Sequence, residues 1–497
     1  MNFSLNYTHK THVEVTSMSS EYPKADAYVI GAGPNGLAAA ITLSQSGLDV
    51  VVLERNDTPG GGARTAELIR PGYRHDVCSA IHPTAYSSPY FMSLGLEKYG
   101  LEWIQPDIPC VHPLDGGDGV SLHRELGDTV RQLDDDGRKY KRLFEPFSKN
   151  WYALTRDILT PLGWPNNPFL MAKFGVRGLQ PVSRFVKQFS TEKAKALVGG
   201  MAAHSILPFE EPGTTAFGLV LACSGHGVGW PFPKGGTDQL IVALIKLLET
   251  HGGKVITNAE ITNIDALPET SIVIHDTAPK SFVEYAGHRL SPGSKRALEN
   301  FEYGAAAYKV DFILSEPVPW AYEEAKKAGT LHLGGSFAEM RQAEREVHEG
   351  IMPDKPFVLV AQQSRFDRSR TQGTDEVLWS YAHAPNGYTG DATETLIRQI
   401  ERFAPGFRDI IIDKHVIGPM NLQEYNPNYV GGDINSGKQH LPQLFKRPLS
   451  WSRPYQAPLD GHYFCSSSTP PGGGVHGMSG HLAAKVALKQ KFGIRVT

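Results

Sequence analysis

Cysteine is scarce in this chain of 497 residues: Cys78, Cys110, Cys223 and Cys465 stand far apart, with no Cys-x-x-Cys pair and no histidine at metal-ligand spacing. That pattern points to a reduced compartment and to no resident metal. It also excludes a close relative of the disulfide reductases, which place a redox cysteine pair just after their first dinucleotide fold, where Cys78 here is alone. No charge of one sign dominates either. The 49 Lys and Arg against 52 Asp and Glu leave a formal net charge of −3, so no basic field for nucleic acid is expected. No apolar run approaches the roughly 20 residues of a membrane span, and residues 1–24 lack the apolar core of a signal peptide. The expectation is a cytoplasmic protein of two or three domains with a frayed leader over 1–24.

What the chain has is glycine in one revealing place. Residues 27–64 read AYVIGAGPNGLAAAITLSQSGLDVVVLERNDTPGGGAR. An apolar strand, Ala27 to Ile30, enters Gly31, Gly33 and Gly36 at GxGxxG spacing, and Leu37 to Ser44 reads as a helix. Gly31 allows the tight turn, Gly33 lets backbone approach a pyrophosphate, and Gly36 lets the helix pack close to the sheet; the helix N-terminus offers amides to the phosphates. A second strand, Leu48 to Leu53, ends in Glu54, where a carboxylate can take ribose hydroxyls. Arg55, Gly60, Gly61, Gly62, Ala63 and Arg64 then resemble the ERxxxxGGxxR/T extension of FAD enzymes of the glutathione reductase superfamily. A second glycine turn brings more amides and an arginine to a longer ligand.

Further on, a charged helical stretch is expected over Glu125 to Lys149. From Ile158 to Thr191 there are four basic residues (Lys173, Arg177, Arg184, Lys187), no acidic ones, and many apolar ones, with Pro168, Gly175, Gly178 and Pro181 breaking any long helix. This is a candidate peripheral membrane contact. TDQLIVALIKLLETHGG carries helical periodicity, Lys254 to Thr257 and SIVIHDTAP read as a return to the nucleotide-binding sheet, and 301–316 and 357–363 suggest an antiparallel sheet in a second domain. The tail GHYFCSSSTPPGGGVHGMSGHLAAKVAL reads as strand (Tyr463 to Cys465), glycine-rich loop and helix (His481 to Leu488), a geometry that aims amides at an anion or a flavin edge.

The opening, together with PFPKGGTDQL, YKVDFILSEPVPW, NPNYVGGDI and STPPGGGVHG, resembles the phytoene desaturase-like flavoproteins over nearly the whole chain after residue 24. The resemblance implies an α/β fold: a discontinuous, Rossmann-like FAD-binding domain of the glutathione reductase superfamily (25–110, 231–290 and 445–497) and a substrate domain of mixed sheet plus helices (111–230 and 291–444). It implies FAD held by Gly31, Gly33, Pro34, Asn35, Gly36, Glu54, Arg55, Gly61, Gly62, Ala63 and Arg64. Ile261 would meet the adenine, and Ser467, Thr469, Gly473, Gly474, Val475 and Gly477 would line the flavin side. Ser466 and Pro470 depart from the family's usual Gly and His. The chemistry implied is hydride transfer to flavin N5 from a long apolar, unsaturated, lipid-like or terpenoid-like substrate, giving a desaturation; an isomerase, an amine oxidase and a non-catalytic flavoprotein are the alternatives. His476, Lys234 and Lys309, with Tyr308 beside it, are the candidate catalytic groups. With no second GxGxxG after a strand, reoxidation falls to oxygen, a quinone or a partner protein.

Overall fold

The computed structural model describes residues 22–496; the expected leader lies outside them up to residue 21. Two sheets organise the chain. The first has five parallel strands in the order His462–Phe464, Ile272–His275, Ala27–Ile30, Val50–Leu53, Lys254–Ile256. The strands AYVI, VVVL and IVIH are buried at every position, as apolar runs in a parallel sheet must be when both faces are covered. Alternation sorts them: Val29, Val50, Val52 and Ile274 pack with helices Pro34–Gln45, Asp238–Thr250 and Met478–Phe492, while Tyr28, Val51, Leu53 and Val273 face Phe282 and Tyr285 of helix Pro279–Ala286. The helix expected from Leu37 begins at Pro34, since proline suits the first helical position, where its missing N–H leaves no bond unmade.

The second sheet is mixed. Its order is Ile411–Ile417, Ala306–Leu314, Glu376–Ala384, Val358–Ala361, Ala328–Leu333, Ile108–Pro113, Gly119–Leu122. The antiparallel pairing read from 301–316 and 357–363 holds for those strands, and the one parallel pairing joins Ala328–Leu333 to Ile108–Pro113. One face, with Val310, Phe312, Leu331 and Val360, covers helix Thr393–Phe403. The other face meets the segment of residues 66–81 that follows the second glycine turn, and the helices between residues 137 and 228. The charged stretch expected over Glu125 to Lys149 forms two helices, Leu126–Gln132 and Gly137–Ser148. Pro168 does not interrupt a helix; it starts one, Pro168–Gly178, which carries Gly175 within it. Among the described residues no helix is long and apolar enough to cross a membrane.

Candidate functional site

A cleft of about 270 Å³ opens at the carboxyl ends of the first sheet's strands, where open parallel sheets place their ligands. Gly31 has φ +101°, and a Cβ there would press on the Asp276 carbonyl at 3.0 Å. A Cβ on Gly36 would lie 2.0 Å from the Gly31 carbonyl oxygen, and one on Gly61 would lie 3.2 Å from Gly33 Cα, so the two glycine turns are stacked against each other. Of the residues expected to hold a dinucleotide, Gly31, Gly33, Glu54, Arg55, Gly61, Arg64 and Ile261 line this one cleft. Glu54 has a structural duty as well. Its carboxylate accepts from Ala32 N at 3.0 Å and from Arg64 at 3.2 Å, bracing the first turn against the second.

Asp276, which the sequence reading passed over, is the most telling group in the cleft. Its Oδ2 accepts from Gly36 N at 2.9 Å, so a carboxyl already stands at the N-terminus of helix Pro34–Gln45, where an anion is favoured. Burial pushes its pKa well above the usual carboxylate range; the bond from Gly36 opposes this and neighbouring Glu54 adds to it. Asn428 completes the wall, donating to the Asp276 carbonyl at 3.2 Å and accepting from Ala278 N at 2.7 Å. The folded state therefore favours protonated Asp276. Its stabilising contribution is full below the unfolded pKa of about 3.9 and is lost as pH rises through the raised folded value. Asp276→Asn keeps the acceptor for Gly36 and removes the charge. It should flatten this loss of melting temperature with pH; equal pH profiles for the two proteins would contradict it.

The tail residues sit elsewhere. Ser467, Thr469, Gly473, Gly474, Val475 and Gly477 lie between strand His462–Phe464 and helix Met478–Phe492, and none lines the cleft. Thr469 donates back to the Ser466 carbonyl at 2.7 Å, and a Cβ on Gly477 would meet the Phe91 ring at 2.3 Å. His476 is buried with both nitrogens on backbone: Nε2 donates to the Gly472 carbonyl at 3.3 Å and Nδ1 accepts from Met478 N at 3.1 Å. Burial holds its pKa down at about 4. Lys234 is at the surface, donating to Glu102 at 2.8 Å. Tyr308 points to the far face of its strand and donates to Asp391 at 2.8 Å.

Lys309 is different. It is 2% exposed, pairs with Asp311 two residues along the same strand face, and lies 5.8 Å from the centre of the Trp379 ring. His75 Nδ1 is 3.7 Å from Asp311 Oδ1, and neither that oxygen nor either His75 nitrogen has a hydrogen-bond partner among the described residues. Burial, against the pull of Lys309, raises Asp311 to about 6; burial and then Lys309 push His75 down to about 3. Around this trio the wall is apolar: Val77, Ala307, Leu359, Tyr381, Ile417 and Tyr429. The wall adjoins the dinucleotide turn directly, since Val77 N donates to the Arg64 carbonyl at 2.8 Å and Ser79 N to that of Gly62 at 3.0 Å.

Residues 29–94 match the model of an NAD(P)-binding Rossmann-like domain. The chain is 24% identical to pyridine nucleotide-disulfide oxidoreductase domain-containing protein 2 of Rattus norvegicus, over 94% of each chain. It is 22% identical to a lycopene-forming phytoene desaturase of Pantoea ananas, covering 93% of this chain and 98% of that one. In structure it is similar to a double mutant of putrescine oxidase, with a TM-score of 0.61 at 16% identity over 94% of this chain and 98% of that one, a likeness of fold. The glycine turns, the parallel sheet behind them and these similarities converge: the chain is a homologue of pyridine nucleotide-disulfide oxidoreductase domain-containing protein 2 over 94% of its length and is similar, over nearly as much of it, to the phytoene desaturases.

Proposed function

We propose that this chain is an FAD-dependent oxidoreductase of the desaturase or dehydrogenase type, acting on a long apolar, unsaturated substrate. The observation that carries the reading is the apolar, aromatic cluster of the second sheet beside the second glycine turn, into which the buried Lys309–Asp311 pair and His75 are set, with Asp76, Arg370, His415 and Cys78 near them. An apolar wall with few placed polar groups suits a lipid-like ligand. The stacked glycine turns, each with room for no side chain, fit a cofactor that presents a diphosphate to both. Amides of the helix at Pro34 and the half-exposed Arg55 would hold that diphosphate, and Glu54 the ribose. FAD, when bound, supplies the hydride acceptor.

The chain's own residues then have to manage a proton. Removing two hydrogens from a carbon–carbon bond releases one as hydride and one as a proton, and the unpartnered Asp311 Oδ1 is a seat for the proton. Lys309 keeps Asp311 ionised in a place where burial alone would neutralise it. The apolar residues around them exclude water. With Asp311 near 6, turnover should fall as the pH drops through that value and the base is lost. Lys309→Met should move this acid limb upward and lower turnover at neutral pH by at least about tenfold, with flavin content unchanged. An unmoved limb would remove Lys309 from the proton path. The reading as a whole is tested by the anaerobic visible spectrum of the purified protein on adding host lipid extract. Bleached flavin bands support it. Unchanged bands on lipid, polyene and terpenoid panels sink it, and peroxide released from an amine panel replaces it by an amine oxidase.

A further inference from the structure

The surface over residues 159–188 is built in the opposite sense to an ordinary solvated face. Helix Pro168–Gly178 turns Phe174 and Gly178 inward, where a Cβ on Gly178 would meet that of Ala216 at 3.1 Å. Its outward stripe is apolar too: Phe169 is 87% exposed, Val176 73%, and Leu179 just beyond 54%. The loop before it holds Leu162 at 63% and Trp164 at 91% exposure. That loop is pinned, because Asp157 accepts from Asn166 N and Nδ2 at 2.7 Å each and from Asn167 N at 3.0 Å. Trp164 is thus presented on a tied loop.

Beside the stripe runs an open groove of about 590 Å³ whose charged lining residues are Lys173, Arg177 and Arg184, with no carboxylate among them. Among the described residues, none of these three, nor Lys187, forms an ion pair. Arg177 lies 5.5 Å from the centre of the Phe147 ring. No acidic residue occurs between Asp157 and Glu192 in a chain whose net charge is −3. Asp157, the carboxylate that precedes this segment, is already committed to three N–H donors. We propose that this face docks onto an anionic lipid bilayer, with Trp164, Phe169 and Val176 entering the headgroup boundary and Lys173, Arg177 and Arg184 meeting lipid phosphates. Tryptophan favours that boundary, and basic groups beside apolar ones bind anionic headgroups. A second copy of the chain is a poor occupant, since it would bring the same uncompensated positive charge.

The test is co-sedimentation of the full-length protein with vesicles of phosphatidylcholine alone and of phosphatidylcholine with phosphatidylglycerol. The expected result is binding to the anionic vesicles that weakens with salt and is much weaker on the neutral ones. Lys173→Gln with Arg184→Gln should weaken it about 25-fold, roughly fivefold per basic residue. Trp164→Ser with Phe169→Ser should weaken it on the order of a hundredfold. All four side chains are exposed or groove-lining, so both variants should keep the parent melting temperature and dinucleotide content. The proposal is overturned if anionic vesicles leave the protein in the supernatant, or if both double variants bind as the parent does. It is equally overturned if the substitutions abolish a concentration-dependent dimer while vesicles bind nothing, which would make the face a contact between copies.

Discussion

Gly36→Val is expected to yield protein that carries no dinucleotide and melts well below the parent. The reason is a single distance: a Cβ at this position would sit 2.0 Å from the Gly31 carbonyl oxygen, a backbone atom that cannot rotate away. Gly31 itself is fixed by its N–H on the Leu53 carbonyl at 2.8 Å and by its positive φ. Valine would therefore have to open the turn, and with it the hydrogen bond from Gly36 N to Asp276 Oδ2 at 2.9 Å. Overpacking usually costs about 1–3 kcal/mol. Here the stabilisation by bound ligand is lost as well, about 4 kcal/mol for a ligand at a thousand times its dissociation constant. Gly293→Ala is the matched control. It lies in helix Pro292–Glu299 with nothing within 4 Å of the added Cβ, so it should be neutral or slightly stabilising. Flavin absorbance per protein and melting curves with and without added FAD read the result; a Gly36→Val protein with parental values on both would refute the argument.

The parts of this site that were legible in the sequence are those whose function depends on local backbone. Gly31, Gly33 and Gly36 declare themselves because a turn of that tightness admits nothing else, and four-residue apolar strands declare a sheet covered on both faces. Asp276 was not legible as a partner of Gly36, because 240 residues separate them. A signal was present all the same: an acidic residue directly after an apolar strand that returns to a parallel sheet stands at the ligand-bearing edge. Asn428 lay within a segment already marked by resemblance, but only packing reveals that it spans Asp276 and Ala278. Lys309 and Asp311 share a strand face by period two alone, whereas the approach of His75 depends on how the short pairing of Thr65–Ala66 with His75–Asp76 packs on the second sheet. The parallel pairing of Ala328–Leu333 with Ile108–Pro113 is likewise a long-range fact that no local pattern encodes.

Arg370→Met should be the most destabilising single substitution away from the glycine turns. Arg370 is 1% exposed and donates to Asp76 Oδ2 at 2.7 Å, to Asp367 Oδ2 at 3.3 Å and to the Pro233 carbonyl at 3.0 Å. Asp76 also takes Thr65 at 2.7 Å, Thr237 N at 2.9 Å and Gln363 at 3.2 Å, so one buried carboxylate ties the strand Thr65–Ala66, the start of helix Asp238–Thr250 and the second sheet's loops together. Methionine fills much of the same volume. It leaves Asp76 and Asp367 buried without their cation, a loss of about 3–5 kcal/mol in pairs of this kind. The pH dependence separates this cause from a packing defect. Burial pushes the Asp76 carboxyl up, but Arg370 and the bonds from Thr237 and Thr65 outweigh it and hold it below the usual range. The stability this lowered pKa provides is present above the unfolded value of about 3.9 and is lost as pH falls through the folded one. In Arg370→Met the carboxyls are no longer held down and can take protons, so the deficit against the parent should be largest near pH 7 and shrink toward pH 4. A cavity would cost the same at both. Urea unfolding midpoints of parent, Arg370→Met and Asp76→Asn across that range decide it. A pH-independent deficit would mean the arginine acts by filling space. A deficit that shrinks would mean that the arginine acts by pairing with the buried carboxylates of Asp76 and Asp367.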